Sequence, residues 1–246
     1  MSGHSKWATT KRHKAAIDAK RGKIFSVLAK DLALAARAGG GDPNSNAKLR
    51  TLLLKARAAN MPTDNIDRAV KKGTGELPGV SYEEIRYDGY GPAGVNIIVE
   101  VTTDNKNRAV GEIRAAFTKA GGSLATTGAL DFNFQRKGQF LINAEGNSED
   151  ALMEIALDAG ADDVISHGDH FEILCAPSAF DAVAKALEDK GVKPDESEIA
   201  YLPNATIRIT DPAVAKSVMR LVDTLDDLDD VRAVHANHEV DDALLG

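Results

Sequence analysis

The sequence predicts an α+β protein: an N-terminal three-helix bundle followed by two ferredoxin-like α/β domains, the second inserted into the first. Three observations carry that expectation. Apolar residues recur at helical spacing through the first third of the chain, and after Gly79 the pattern changes to alternating strands and helices. Residues 138–202 spell β-α-β-β-α-β, the ferredoxin-like order. The flanking pieces, 95–134 and 205–236, each spell β-α-β and joined together repeat it.

Taken in order, residues 1–23 form a basic arm with seven Lys/Arg, one acid (Asp18) and only Trp7 and Ile17 as large apolar residues. Such a segment buries too little surface to offset its ordering entropy, so mobility in solution is expected. Residues 24–78 are the bundle. Ile24, Val27, Leu28, Leu32 and Ala35 line one face of a helix that runs to about Ala38 and stops at Gly39-Gly40-Gly41-Asp42-Pro43. A second helix carries Leu49, Leu52, Leu53 and Ala56 after cap candidates Asn44 to Asn46, and Met61-Pro62 breaks it. Thr63 or Asp64 would cap a third helix bearing Ile66 and Val70, ending at Lys71-Lys72-Gly73. Residues 79–137 plus 203–246 make the outer α/β domain, with strands near 83–88, 95–102, 129–134, 205–210 and 231–236 and helices at 107–120 and 213–226. The inserted domain, 138–202, has strands at 139–143, 162–166, 171–175 and 197–202 and helices at 149–159 and 179–190.

Composition excludes several classes. At 246 residues, 43% hydrophobic and 27% charged, the chain is an ordinary globular protein of more than one domain. Apolar runs such as Val95 to Val99 fall far short of the roughly 20 residues a membrane span needs. The N-terminus has no apolar core of a secretion signal, so a cytoplasmic protein with no membrane partner is expected. Cys175, alone in the chain, rules out an intrachain disulfide and a multi-cysteine metal site; its strand-like setting predicts a buried, inert thiol.

The net charge of −7 conceals a division. Residues 1–75 carry 16 Lys+Arg against 5 Asp+Glu, a balance of +11, and the remaining residues balance at −18. An asymmetry of that size points to a polyanion-binding face on one part of the chain. Lys6, Lys11, Arg12, Lys14, Lys20, Arg21 and Lys23 can neutralise phosphates, Trp7 offers a face for base stacking, and His4 lies beside them. Arg50, Lys71 and Lys72 continue the same sign, and Arg108 follows a strand end in Thr102-Thr103-Asp104-Asn105-Lys106-Asn107-Arg108. The alternative for the arm is a solvated charged tail. For Asn105, Lys106 and Arg108 the alternative is a helix cap, with Asp104 or Asn105 as the capping residue. The two helices joined by Asn60-Met61-Pro62-Thr63 read equally as a helix-turn-helix or a plain αα-corner, because Asp64 and Asp67 would repel phosphate.

No catalytic residues and no metal or other cofactor are read from the sequence. Tyr87 to Gly94 is glycine-rich but leads into a strand, so a hairpin turn is expected rather than a phosphate cradle. His167/His170 and His235/His238 are read as surface histidines on turns or strand ends. Asp226 to Asp230 is an acidic cluster lacking the spaced ligands of a calcium loop. An enzyme reading built on His4 or the glycine-rich loop lacks a paired base and nucleophile.

With these residues in view, the chain resembles the YebC family along essentially its whole length. The resemblance rests on Gly3-His4-Ser5-Lys6-Trp7, Lys14, Asp18 to Phe25, Gly39 to Pro43, Asn60-Met61-Pro62, Tyr87, Gly89 to Pro92, Asp104-Asn105, Arg108, Gly121-Gly122, Phe132, Phe134, Lys137 and Gly138. Ala129 and Asp131 depart mildly from the family pattern. The resemblance implies a helical domain followed by two α/β domains, and a regulator without known catalytic activity. Bacterial members are described as DNA-binding transcriptional regulators, whereas the mitochondrial relatives act in translation. The implied partner is therefore nucleic acid, either DNA or ribosomal RNA, with the ribosome as a candidate. The physics of the arm favours RNA, since it lacks a helix-borne row of base-pair readers.

Overall fold

The computed structural model describes residues 22–79 and 81–240. By contacts these residues divide into two units, one comprising 22–129 and 211–236 and the other 130–210 and 237–240.

The first unit begins with helix α1, residues 22–39, which buries Leu32, Ala33, Ala35 and Ala36. Its end explains the glycine run. Gly40 takes a left-handed φ of 83°, and a Cβ at Gly39 would lie 2.8 Å from the side-chain Nδ2 of Asn46. Asn46, the residue that caps α2 (Ala47–Ala58), accepts from Leu49 N and donates to the carbonyls of Ala35 and Gly40 at 2.9 and 2.8 Å. One buried amide thus joins the end of α1 to the start of α2. The exit from α2 is a Schellman turn, with Asn60 at φ 58° and Met61 N donating to Ala56 O at 2.9 Å.

Helix α3 (Thr63–Thr74) differs from expectation at both ends. Pro62 occupies the cap position, so the start has no side-chain cap, and Thr63 is already helical. The left-handed terminator is Gly75 at φ 83° rather than Gly73. Gly73 is inside the helix for another reason: a Cβ there would stand 2.3 Å from the Ala33 carbonyl oxygen, so the backbones of α1 and α3 approach closely at this point. Leu32, Ala35, Leu49, Ala56, Met61 and Ile66 form the core of the bundle.

The same unit contains a four-stranded antiparallel sheet. Strands β1 (Glu83–Tyr90) and β2 (Asn96–Thr103) form the hairpin expected from the glycine-rich turn, closed by Gly91 N to Val95 O at 2.8 Å. β9 (Val231–Ala236) flanks β2, and the two-residue β3 (Ser123–Leu124) flanks β1. Helices α4 (Lys106–Lys119) and α7 (Pro212–Asp226) contribute Ile113, Phe117, Val218 and Leu221 to the core. The segment expected as a strand at 129–134 is instead a chain of turns, with Ala129 N bonded to Thr126 O and Asn133 N to Leu130 O. Buried Leu130 and 71% exposed Phe132 do not alternate as a strand would require. The position beside β2 that a ferredoxin-like order would give to the strand at 205–210 is taken by β1.

In the second unit, β4 (Phe134–Asn143), α5 (Glu149–Asp158), β5 (Ala161–Ser166), β6 (His170–Cys175), α6 (Phe180–Asp189) and β7 (Glu196–Pro203) form the β-α-β-β-α-β domain. The sheet order is β5-β6-β4-β7, all pairs antiparallel, with the first and third strands central. Phe140, Ile142, Leu152, Ile173, Val183 and Leu187 fill its core. Gly138 is required at the strand crossing, since a Cβ would meet Cys175 Sγ at 2.5 Å. The strand expected at 205–210 is shorter, β8 (Ile207–Ile209), and pairs in parallel with β10 (His238–Val240) rather than joining the first unit's sheet.

Candidate nucleic-acid interface

Of the candidate nucleic-acid residues, His4, Lys6, Trp7, Lys11, Arg12, Lys14, Lys20 and Arg21 lie outside the described residues. The remaining cations fall into distinct environments. Lys23 is drawn towards α7, 3.8 Å from Asp226, with its side chain only 17% exposed. Arg108 bonds Asp230 at 2.6 Å and Asp104 at 2.8 Å, and these hydrogen bonds push its guanidinium above its ordinary pKa. Asn105, beside it, is the α4 cap, accepting from Arg108 N at 3.1 Å. These residues thus make contacts that hold the fold together. Arg50 is exposed on α2, near the Pro43 carbonyl at 3.4 Å. Lys71 and Lys72 are exposed in the last turn of α3, where cations suit the negative end of the helix dipole.

Lys71 and Lys72 nevertheless face different ways. Asn65, Arg68, Ala69 and Lys72 follow one another at i, i+3, i+4 and i+7, so they share a single helix face. That face forms one wall of a cleft of about 310 Å³ between α1 and α3. Phe25, Ser26, Ala29 and Ala33 supply the opposite wall; Met61 and Tyr82 complete the lining. None of the lining residues is acidic. Asp64, Asp67 and Lys71 project from another side of the helix, so the two carboxylates that counted against α3 in the sequence do not face the cleft. Neither Arg68 nor Lys72 is in an ion pair among the described residues. Burial, chiefly, raises the Tyr82 phenol pKa, with Asp104 and Asp230 adding to the effect, so the hydroxyl is neutral and able to donate near neutral pH.

Other motifs resolve differently from expectation. The histidines are not on the surface: His167 and His170 are 6% and 0% exposed in their side chains and stack at 4.6 Å. Hairpin β5–β6 folds them over buried Glu172, whose carboxylate meets His167 Nε2 at 2.9 Å and accepts from Gln139. His235 is also buried, paired with Glu100 at 3.0 Å. In the acidic cluster, Asp230 is 5% exposed and bonded to Lys30, Thr103 and Arg108. Among the described residues no group of three or more His, Cys, Asp or Glu could hold a metal ion. Cys175 is buried as expected, and burial pushes its thiol up to about 11. No described helix is long and apolar enough to cross a membrane.

The charge is divided along the chain, with a basic helical region joined to α/β units of net negative charge. The chain belongs to the YebC family: residues 5–76 match the TACO1/YebC protein N-terminal domain and residues 82–238 the TACO1/YebC second and third domain. It is 62% identical over 245 residues to a probable transcriptional regulatory protein of Opitutus terrae, covering 100% of this chain and 99% of that one. A protein of the same description from Desulfatibacillum aliphaticivorans is 50% identical over 246 residues, with coverage of 100% and 99%. The crystal structure of a conserved hypothetical protein from Aquifex aeolicus matches with a TM-score of 0.83 at 42% identity, over 92% of this chain and 93% of that one.

Proposed function

We propose that the chain is a non-enzymatic, cytoplasmic regulator of gene expression that binds nucleic acid through its basic N-terminal region, and that structured RNA, most simply the ribosome, is its ligand. The observation that carries this reading is the divided charge, +11 over residues 1–75 against −18 over the rest. Cations on the helical region attract phosphate and release its counterions, while the acidic remainder limits contact to one side. RNA is favoured over duplex DNA by the position of the α3 cations. A reading helix must enter a major groove as a convex ridge. Arg68 and Lys72 instead line a concave cleft, which suits a projecting nucleotide better than a base-pair edge. The second reading, a transcriptional regulator on DNA, is supported by the description its relatives carry.

Competition separates the two readings. Protein at nanomolar concentration is mixed with ribosomes and excess promoter-bearing duplex in about 0.15 M salt, where non-specific DNA binding is no tighter than about 10⁻⁶ M, then sedimented. Co-sedimentation with ribosomes is expected, and Lys6→Ala with Trp7→Ala should weaken it. Retention on one particular DNA fragment, with release from ribosomes, would sink the RNA reading in favour of the transcriptional one.

A further inference from the structure

We infer that the α1–α3 cleft is a pocket for one unstacked nucleotide of single-stranded RNA, its base seated between the helices and its phosphate held by Arg68 and Lys72. The inference rests on the RNA reading above and assigns it a specific subsite. Volume is the first support: about 310 Å³ lies at the small end of the ~300–1,000 Å³ typical of ligand sites, suited to one nucleotide rather than a helix or a peptide strand.

The distribution of chemistry is the second support. Phe25 and Met61 provide the apolar, polarisable surface on which any base can pack. Met61 and Ala69 also belong to the bundle core, so the floor is packed against the rest of the bundle. The two cations stand one helical turn apart on the α3 wall, and the lining has no carboxylate to repel an anion. Asn65 and Tyr82 add side chains able to exchange hydrogen bonds with base edges. An apolar peptide would leave both cations desolvated beside it without a counter-charge, whereas a nucleotide satisfies apolar floor and cationic rim together.

The probes are fluorescein-labelled oligoadenylate and oligouridylate ten nucleotides long, titrated against the full-length protein over a salt series. Ser26 is an exposed wall residue of α1, so Ser26→Trp can obstruct the cleft without removing charge. It should weaken binding about tenfold, the effect of losing one base contact, and leave the salt slope unchanged. Arg68→Gln with Lys72→Gln should instead lower the slope of log K against log salt by about 1.4, near 0.7 for each lost contact to a single strand. Circular dichroism and thermal melting establish that the variants are folded. Should Ser26→Trp perturb the bundle, ¹⁵N-labelled wild-type protein titrated with adenosine and uridine 5′-monophosphates gives an independent reading. Saturable shifts concentrated at residues 25–33 and 65–72 are expected. Unchanged RNA affinity in folded Ser26→Trp, or shifts scattered over surface lysines, overturns the pocket while the RNA reading stands. Wild-type protein showing no salt-dependent binding of either oligonucleotide also overturns the pocket, whereas the RNA reading falls only with loss of co-sedimentation with ribosomes.

Discussion

Two aspartates within one unit show how environment reverses the effect of the same side chain. Asp230 is buried, which by itself would raise its pKa, yet hydrogen bonds from Lys30, Arg108 and Thr103 hold it below the ordinary carboxylate value. Those bonds tie α1, the end of β2 and α4 to the residue just before β9. A depressed folded-state pKa stabilises the fold above the unfolded value near pH 4, and the contribution is lost as pH falls through the folded value. Asp230→Asn should therefore cost about 2–3 kcal/mol at neutral pH, below the ~3–5 for a fully enclosed pair because Arg108 is half-exposed. The loss should shrink as the solution is acidified towards pH 3. Asp31 is the opposite case. Burial, the largest influence, raises its pKa despite the opposing pull of Arg232, and its Oδ1 is buried without a hydrogen bond. A raised folded-state pKa favours folding at low pH and costs stability as pH rises through the carboxylate range. Asp31→Asn should therefore raise the melting temperature at pH 7, with the gain vanishing in acid. Thermal melts of both variants from pH 3 to 8 check the pair; same-sign changes at pH 7 would contradict this account.

At the scale of elements, the helices were legible wherever apolar spacing dictated them, and illegible where one residue's partner decided the detail. The existence of α3 followed from Ile66 and Val70, but Gly73 looked like its terminator because glycine commonly ends helices. Only the approach of α1, which leaves no room for a Cβ, distinguishes a packing glycine from a capping one. The cleft was missed for a related reason. Asp64 and Asp67 dominate a linear reading of α3, whereas the i, i+3, i+4, i+7 series from Asn65 to Lys72 would have revealed a face free of them. Short β3 and β10 have too few residues to show alternation, and the outer sheet was misassigned as a result. The glycine distinction gives a sharp prediction. An interior helical Gly→Ala normally gains about 1 kcal/mol. Gly111 in α4 has open space around it, so Gly111→Ala should show that gain. Gly73→Ala should reverse the sign and lower the melting temperature, because the Ala33 carbonyl must move. Equal shifts in the two variants would refute the tight α1–α3 approach.

At the scale of the molecule, the charge division was readable from composition, and the inserted β-α-β-β-α-β domain from periodicity. Its edges were not readable, because they are set by polar contacts between residues far apart in sequence. Asn133 Nδ2 donates to Ala205 O at 3.2 Å, Asn133 Oδ1 accepts from Ala205 N at 2.9 Å, and Asn204 N donates to Asn133 O at 2.7 Å. This cluster closes the base of the β4–β7 pair and brings the two ends of the domain into hydrogen-bond contact. The domain should therefore be separable. Excision of 134–203, with Asn133 joined to Asn204 through two or three Gly-Ser residues, removes a sheet whose core is filled by its own helices. Linker strain should be small because the joined residues are already neighbours, and lost loop entropy changes only with the logarithm of length. The remaining chain should keep the amide shifts of β1, β2 and β9, and the excised fragment should melt in its own cooperative transition. RNA affinity, if it resides in residues 1–75, should survive excision with its salt slope intact. Collapse of the β1–β2–β9 amide pattern would show that the outer sheet depends on the inserted domain, and the two would then have to be treated as one folding unit.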